Sequence, residues 1–205
     1  MDADPATFDF RPGDLAACFG RGAAARVISW ATASPLAPHG LRVGPSHVAV
    51  VCQHRGRPLW VESTTLCRRP CMMRGRPVAG VQAHPPEARV RDYAGAGGRV
   101  DVYRFVGFAA LSGEEESLLH RLLVRDAVGG AGRYDLGGAL VSGTRLLRLL
   151  PGAELRTLFC SELAAAAVMR LGRMNHENPA RFHPARLLRR LVRTGKVARV
   201  ASFGA

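Results

Sequence analysis

The chain has 205 residues, a length that predicts a single domain over residues 1–205. Of these residues 47% are hydrophobic and 22% charged, a composition that is typical of globular proteins and excludes an intrinsically disordered chain. No apolar run approaches the ~20 residues that span a bilayer, so no transmembrane segment is expected. The formal net charge of +13 is densest at 68–76 and 181–199 and lacks interleaved aromatic residues, so charge alone predicts no specific nucleic-acid site. Of the 29 basic residues, 28 are arginine, which is explained either by a coding bias towards arginine or by attraction to an anionic surface.

Most of the predicted strands lie in the first half of the chain. In chain order, the predicted elements are a strand at 15–19, a helix at 22–33, a loop at 34–45, a hairpin with strands at 46–53 and 58–63, and strands at 78–83 and 99–106. The helix at 22–33 has Val27, Trp30 and Ala31 on one side.

The predicted helices lie mainly in the second half. They cover 112–128, 135–150, 159–171 and 184–193, and a strand at 196–203 closes the chain. Capping-box spacing from Ser112 to Glu115 indicates the start of the first of them. Strands early and helices late predict an α+β fold, an antiparallel sheet with packed helices.

Cys160 is the candidate nucleophile. It stands at the start of an alanine-rich apolar helix, next to polar Ser161 and Glu162. The first turn of a helix carries unpaired N–H groups and a partial positive charge, which stabilise both a thiolate and an oxyanion. A structural role as a core cysteine remains the alternative for Cys160.

His47 and Glu62 are the candidate base and orienting carboxylate. His47 begins the apolar strand of the hairpin, whereas the other six histidines fall in segments where solvated roles are expected. Hairpin pairing returns Glu62 close to the level of His47, where a carboxylate fixes the imidazole tautomer. A register slip of one residue would place Ser63 there instead.

The remaining cysteines do not predict a disulfide framework or a metal centre. Five cysteines are an odd number, and Cys67 and Cys71 lack a second pair with metal-ligand spacing, so no metal or other cofactor is expected. Cys18 and Cys52 lie in apolar strands and are expected to be inert core residues.

Taken together, these motifs resemble the circularly permuted papain-like cysteine hydrolases, the NlpC-type proteins of the YiiX-like branch, which are related to the lecithin retinol acyltransferases. The resemblance covers roughly residues 12–192. The segments that carry it are Gly13-Asp14, Ser46-His47-Val48-Ala49-Val50-Val51, Val61-Glu62-Ser63, Tyr134-Asp135, Phe159-Cys160-Ser161-Glu162-Leu163 and Phe182-His183-Pro184-Ala185-Arg186-Leu187. It implies Cys160 as nucleophile, His47 as base and Glu62 as third member. Tyr134, Asp14 and Ser161 are the predicted substrate-binding residues.

The predicted function is hydrolysis of an amide bond through a thioester, with peptidoglycan stem peptide as the substrate that the resemblance implies. Two alternatives remain: a lipid acyl hydrolase or acyltransferase of the same fold, and a non-enzymatic binder of an anionic polymer. The binder predicts that His47 and Cys160 lie too far apart to interact. The first five residues lack the basic start and apolar core of a signal peptide, so delivery by another route, or a cytoplasmic location, is expected.

Overall fold

The computed structural model describes residues 4–64, 67–128 and 159–204, which form an antiparallel six-stranded sheet with helices packed on it. The strands are β1 (Leu15–Phe19), β2 (His47–His54), β3 (Arg57–Thr64), β4 (Gly80–His84), β5 (Arg99–Phe105) and β6 (Val197–Phe203). The α-helices in the described ranges are α1 (Ala23–Ala31), α2 (Pro86–Gly95), α3 (Gly113–His120), α4 (Phe159–Arg170) and α5 (Pro184–Arg193). The predicted α+β class with an antiparallel sheet is confirmed.

The strand order is β4-β3-β2-β1-β5-β6, and every neighbouring pair is antiparallel. The central strand β1 pairs with β2 on one side and β5 on the other, and Cys18 lies opposite His47. The start of β2 is therefore held in the middle of the sheet, which fixes the backbone of the candidate base.

Alternation along β2 divides the core between the two faces of the sheet. Val48, Val50 and Cys52 belong to the larger core, which also contains residues of α3, α4 and α5. Ala49 and Val51 belong to the smaller core, which contains Trp60 of β3, Val90 of α2 and Phe203 of β6. Burial of both Cys18 and Cys52 agrees with their predicted place in the core.

A two-residue turn joins β2 to β3. Its residues Arg55 and Gly56 have φ values of 52° and 75°, and two consecutive positive φ values match the right-handed twist of a tight hairpin. The turn therefore lies inside the predicted range 54–57, and the register that it sets determines which residues of β3 face His47.

Two differences from the predicted elements bear on the site. Helix α2 occupies a stretch for which no element was predicted, and Pro86 at its first turn and Glu87 beside it are typical of a helix start. Helix α3 begins with the predicted capping box and continues as a π-helical segment, Arg121–Val128. The predicted helix at 135–150 lies outside the described residues. None of the helices in the described ranges is long and apolar enough to cross a bilayer.

Candidate active site

His47 and Glu62 form a direct hydrogen bond, with 2.7 Å between Nε2 of the ring and Oε2 of the carboxylate. The register pairs Val50 with Val61, and its continuation places Glu62 level with Ala49, two residues along the same face from His47. A diagonal neighbour on a sheet is within reach of a long side chain. The hairpin therefore brings together the predicted base and carboxylate, and Glu62 rather than Ser63 occupies the position.

The side chain of Cys160 forms a hydrogen bond with His47. Because Nε2 is already bound to Glu62, Nδ1 is the ring nitrogen that is left for the sulfur. Burial alone would lower the pKa of His47, but the charge and hydrogen bond of Cys160, followed by those of Glu62, raise it from 6.5 to about 10. The three predicted catalytic residues are thus in one hydrogen-bonded series.

Glu62 is held in its charged form by two cationic neighbours. Its second oxygen, Oε1, accepts a hydrogen bond of 2.6 Å from Nε of Arg89, and Glu62 is fully buried. Burial alone would raise the pKa of Glu62, but the hydrogen bond and charge of His47, together with Arg89, lower it from 4.5 to about 2. Glu62 therefore accepts hydrogen bonds through both oxygens and remains an anion.

Behind Glu62, the series continues through helix α2 to the surface. Arg89 donates to Asp92 at 2.9 Å, one helical turn further on. Asp92 in turn accepts two hydrogen bonds from Arg69, of 2.7 and 3.0 Å. Because charges alternate along this network and each polar group has a partner, the buried charges of Glu62 and Arg89 are compensated.

Tyr93 packs beside the pair, with its ring centroid 6.4 Å from that of His47 and an interplanar angle of 22°. The guanidinium of Arg89 lies 5.2 Å from the centroid of the same Tyr93 ring. On the strand side, Ser46 Oγ accepts from the Gly20 amide and donates to the Cys18 carbonyl, at 3.3 and 3.2 Å. Tyr93 therefore stacks beside the imidazole, and Ser46 anchors the backbone directly before His47.

A cleft of about 670 Å³ reaches His47. One group of lining residues is small or apolar and comes from α1, including Ala23, Ala24 and Ile28. Another group is strongly charged and includes Arg68, Arg89 and Asp92. Cys160 is only 1% exposed, and His47 is 8% exposed. The cleft thus combines an apolar lining with a basic one beside the imidazole.

The predicted substrate-binding residues do not all come to this place. Ser161 is buried in the first turn of α4, directly after Cys160. Asp14 precedes β1 at the end opposite Cys18 and is fully buried, with both oxygens 2.7 Å from nitrogens of Arg104. Burial raises the pKa of Asp14, and the hydrogen bonds from Arg104 lower it by less, so the pKa is raised overall. This geometry gives no support for substrate binding by Asp14. Tyr134 lies outside the described residues.

The sequence did not predict a role for Arg89, Asp92 and Tyr93, all on α2. The available signal was the Pro85-Pro86-Glu87 helix start and the i, i+3 spacing of Arg89 and Asp92. The solvated role expected for His84 was wrong. His84 ends β4 and is fully buried, and its Nε2 forms a hydrogen bond of 2.9 Å with Gln82 Oε1.

His84 also belongs to a cluster of potential ligand atoms. Atoms of Glu62, Cys67 and His84 lie within 4.8 Å of one another, the one such group in the described part of the chain. The Cys67 sulfur is 3.6 Å from Nε2 of His84. The donor types suit a soft divalent metal, and both oxygens of Glu62 and Nε2 of His84 already have partners in the protein, whereas Nδ1 of His84 forms no hydrogen bond in the described structure.

Comparison with known proteins gives a likeness of fold alone. No protein-family model matches the chain, and no curated protein matches its sequence. The crystal structure of the metalloprotein yiiX from Escherichia coli is similar to this chain, with a TM-score of 0.52 and 15% sequence identity. The match covers 97% of this chain and 100% of the other, so the chain has a YiiX-like fold.

Proposed function

We propose that the protein is a cysteine hydrolase with a permuted papain-like core, in which Cys160 is the nucleophile, His47 the base and Glu62 the orienting carboxylate. The observation that carries this proposal is the hydrogen-bonded series from Cys160 through His47 to Glu62. A nucleophile, a base and an anion that orients the base are the groups that covalent acyl transfer requires. The histidine precedes the cysteine in the chain, as the permuted order demands.

In the first half of the reaction, Nδ1 of His47 takes the thiol proton and the sulfur of Cys160 attacks the substrate carbonyl carbon. The tetrahedral oxyanion is stabilised by the partial positive charge and the backbone N–H groups at the start of α4. When the carbon–nitrogen bond breaks, the imidazolium returns its proton to the leaving amine and a thioester remains on Cys160. Glu62 stabilises the imidazolium throughout, which is consistent with the raised pKa of His47.

In the second half, a water molecule replaces the amine. His47 takes a proton from this water, the resulting hydroxide attacks the thioester carbon, and the sulfur leaves as the carbon–sulfur bond breaks. The products are a carboxylic acid and the restored Cys160. Arg89 acts as a positioning residue, because it touches Glu62 rather than the reacting atoms. It keeps the carboxylate both charged and correctly placed.

The leading substrate is an amide bond in a peptidoglycan stem peptide, as the family resemblance implies. The basic part of the cleft lining supports an anionic group on the substrate. Arg68 is exposed in this cleft and, among the described residues, has no ion-pair partner. Arg68 is therefore available for a substrate carboxylate or phosphate.

A lipid acyl ester is the second candidate substrate, and one observation favours it. Ala23, Ala24 and Ile28 give the same cleft an apolar lining, which suits an acyl chain better than a polar peptide. The third alternative, a non-enzymatic binder, loses its main support, because it expected a wide separation between His47 and Cys160.

The fold neighbour is described as a metalloprotein, so a metal at Glu62, Cys67 and His84 must be considered. The carboxylate of Glu62 does not fit one, although Nδ1 of His84 forms no hydrogen bond in the described structure. Both oxygens of Glu62 bind the cationic partners His47 and Arg89, and Gln82 holds Nε2 of His84. A metal cation would have to displace these partners and lie beside Arg89, which electrostatic repulsion opposes. No step of the proposed reaction passes through a metal.

Two assays with wild type and Cys160→Ala test the function. A peptidoglycan amidase releases new amino groups from purified sacculi or muropeptides, whereas a lipid acyl hydrolase releases fatty acid from phospholipid vesicles. The variant should show no product in whichever assay is positive and should still bind its substrate, because the arginine side chains are unchanged. A binder gives salt-sensitive retention without product in either assay. Product formation that survives in Cys160→Ala would refute the mechanism.

A further inference from the structure

Helix α1 exposes two of its large apolar side chains and buries a serine. Val27 is 65% exposed and Trp30 83% exposed, whereas Ser29 is the residue of this helix that is buried. A helix on the surface of a globular domain normally turns its apolar residues towards the core. The reversed orientation indicates that the outer face of α1 contacts something other than water when the protein works.

The apolar surface continues beyond the helix. In the following loop, Leu36 is 85% exposed and Val43 is 59% exposed. Trp30 and Val43 line one shallow groove together with Phe19 and Ala33. Trp30 and Val43 therefore share one groove, and we call these two residues, together with the exposed Val27 and Leu36 of the same segment, the α1 patch.

The charged residues of the segment that carries the α1 patch are all of one sign. Between Asp14 and Glu62 the sequence has no acidic residue, although it has five arginines. Three of them, Arg21, Arg26 and Arg42, are exposed in or next to the patch segment, and none forms an ion pair with another described residue. Two copies of this surface would repel each other, so a homodimer through the patch is disfavoured.

An exposed tryptophan and aliphatic side chains surrounded by arginines are the features with which helices lie in the interface of an anionic bilayer. The apolar groups enter the region between headgroups and acyl chains, and the arginines reach the phosphates while their stems stay on the apolar side. A neutral apolar partner would not explain why acidic residues are missing from the entire segment.

We propose that the α1 patch docks the protein on an anionic phospholipid bilayer. The same helix supplies Ala23, Ala24 and Ile28 to the cleft that reaches His47, so docking through Trp30 would hold that cleft at the membrane surface. The docking is independent of the proposed catalytic function, since neither Cys160 nor His47 takes part in it.

Vesicle binding tests the proposal directly. The protein is sedimented with vesicles of phosphatidylcholine alone and with vesicles that also contain phosphatidylglycerol. We expect binding only to the anionic vesicles and a blue shift of Trp30 fluorescence, while Trp60, the other tryptophan, is fully buried and should not respond. Trp30→Ser should weaken binding at least about tenfold, because a large buried apolar side chain is lost from the interface.

Phe108→Ser is the matched control. Phe108 is also an exposed aromatic residue, but it lies near the opposite end of β5 from the patch. Phe19, next to the patch, pairs with Arg99 at the start of β5, whereas Phe108 follows the end of this strand. Its replacement should leave vesicle binding unchanged. Equal binding by wild type and Trp30→Ser would overturn the proposal, as would equal binding to neutral and anionic vesicles. A wild-type dimer that Trp30→Ser converts to monomer would also overturn it, in favour of a second copy as the occupant.

Discussion

Replacement of Glu62 by glutamine keeps the shape of the side chain and removes its charge. The amide has one acceptor oxygen for two neighbours that both donate, Arg89 and the Nε2–H of His47. If the oxygen remains with Arg89, the amide N–H₂ faces Nε2 of His47, which must then be unprotonated. The ring proton moves to Nδ1, and Nδ1 can no longer accept the proton of Cys160.

The magnitude follows from the two hydrogen bonds that are changed. Loss of a properly held tautomer costs on the order of 10²- to 10⁴-fold in turnover in enzymes of this type. Each charged hydrogen bond contributes about 1.5–3 kcal/mol, and Asp92 still partly compensates Arg89, so a stability loss of about 2–4 kcal/mol is expected. For a chain of this size, that loss lowers the melting temperature by roughly 5–15 °C.

The assay is turnover of wild type and Glu62→Gln as a function of pH, together with thermal melts. Because Glu62 helps to raise the pKa of His47, the alkaline limb of the activity profile should move to lower pH in the variant. Glu115→Gln is the matched control, since Glu115 also binds an arginine, at 2.6 Å, but outside the candidate site. Wild-type turnover in a folded Glu62→Gln protein would refute the orienting role.

Three further results are expected. Iodoacetamide should label Cys160 before the other cysteines, because an activated thiol reacts as the thiolate. Exposure alone favours Cys67 instead, which is 9% exposed against 1% for Cys160. Labelling of Cys67 while Cys160 stays unreactive would contradict the activated thiol. Asp14→Asn should lower the melting temperature and leave KM unchanged, and a raised KM would restore its predicted contact with substrate. The pKa of Glu62 is lowered from 4.5 to about 2 and that of His47 is raised from 6.5 to about 10, so their contribution to stability is complete between about pH 4.5 and 6.5. It should disappear as the pH falls through 2 or rises through 10, and a melting temperature that does not change across these ranges would argue against the buried pair.

The sequence predicted the part of the site that is local in the chain. The hairpin sets the relation between His47 and Glu62 over a separation of 15 residues, and a tight turn with alternating apolar residues suffices to predict such a pairing. The contact with Cys160 is distant in sequence, and the order of motifs predicted it rather than any local pattern. Hairpin geometry also explains why Glu62, and not Ser63, occupies the position beside the base.

The sequence did not predict helix α2 or the network that it supplies. One of the buried residues of this helix is Arg89, whereas an amphipathic helix is recognised in a sequence by apolar residues at its buried positions. A buried arginine is stable there only because Glu62, from a strand 27 residues earlier, compensates its charge. Similarly, the Gly13-Asp14 segment predicted Asp14 as a substrate-binding residue by resemblance, and the sequence did not show its ion pair with Arg104, 90 residues away. Such ion pairs follow from tertiary packing, which periodicity does not encode.

The helix at the edge of the cleft shows the opposite case. Its position was predicted closely, 22–33 against Ala23–Ala31, and Val27 and Trp30 were placed on one side. What the pattern could not give was the direction of that side, because periodicity reports a common face without stating what the face contacts. The structure turns it to solvent, which is the observation from which the proposed membrane docking is argued.

The most direct test of the central claim is to trap the acyl group on the protein. A chromogenic ester, p-nitrophenyl acetate, is mixed rapidly with the protein, the reaction is quenched in acid, and the acetylated peptide is identified by mass spectrometry. We predict a burst of p-nitrophenolate and a hydroxylamine-sensitive acetyl group on Cys160 in the wild type, with neither in Cys160→Ala and a much slower burst in His47→Ala. Acetylation of Cys67 instead, or acetylation of Cys160 at the same rate without His47, would contradict the account.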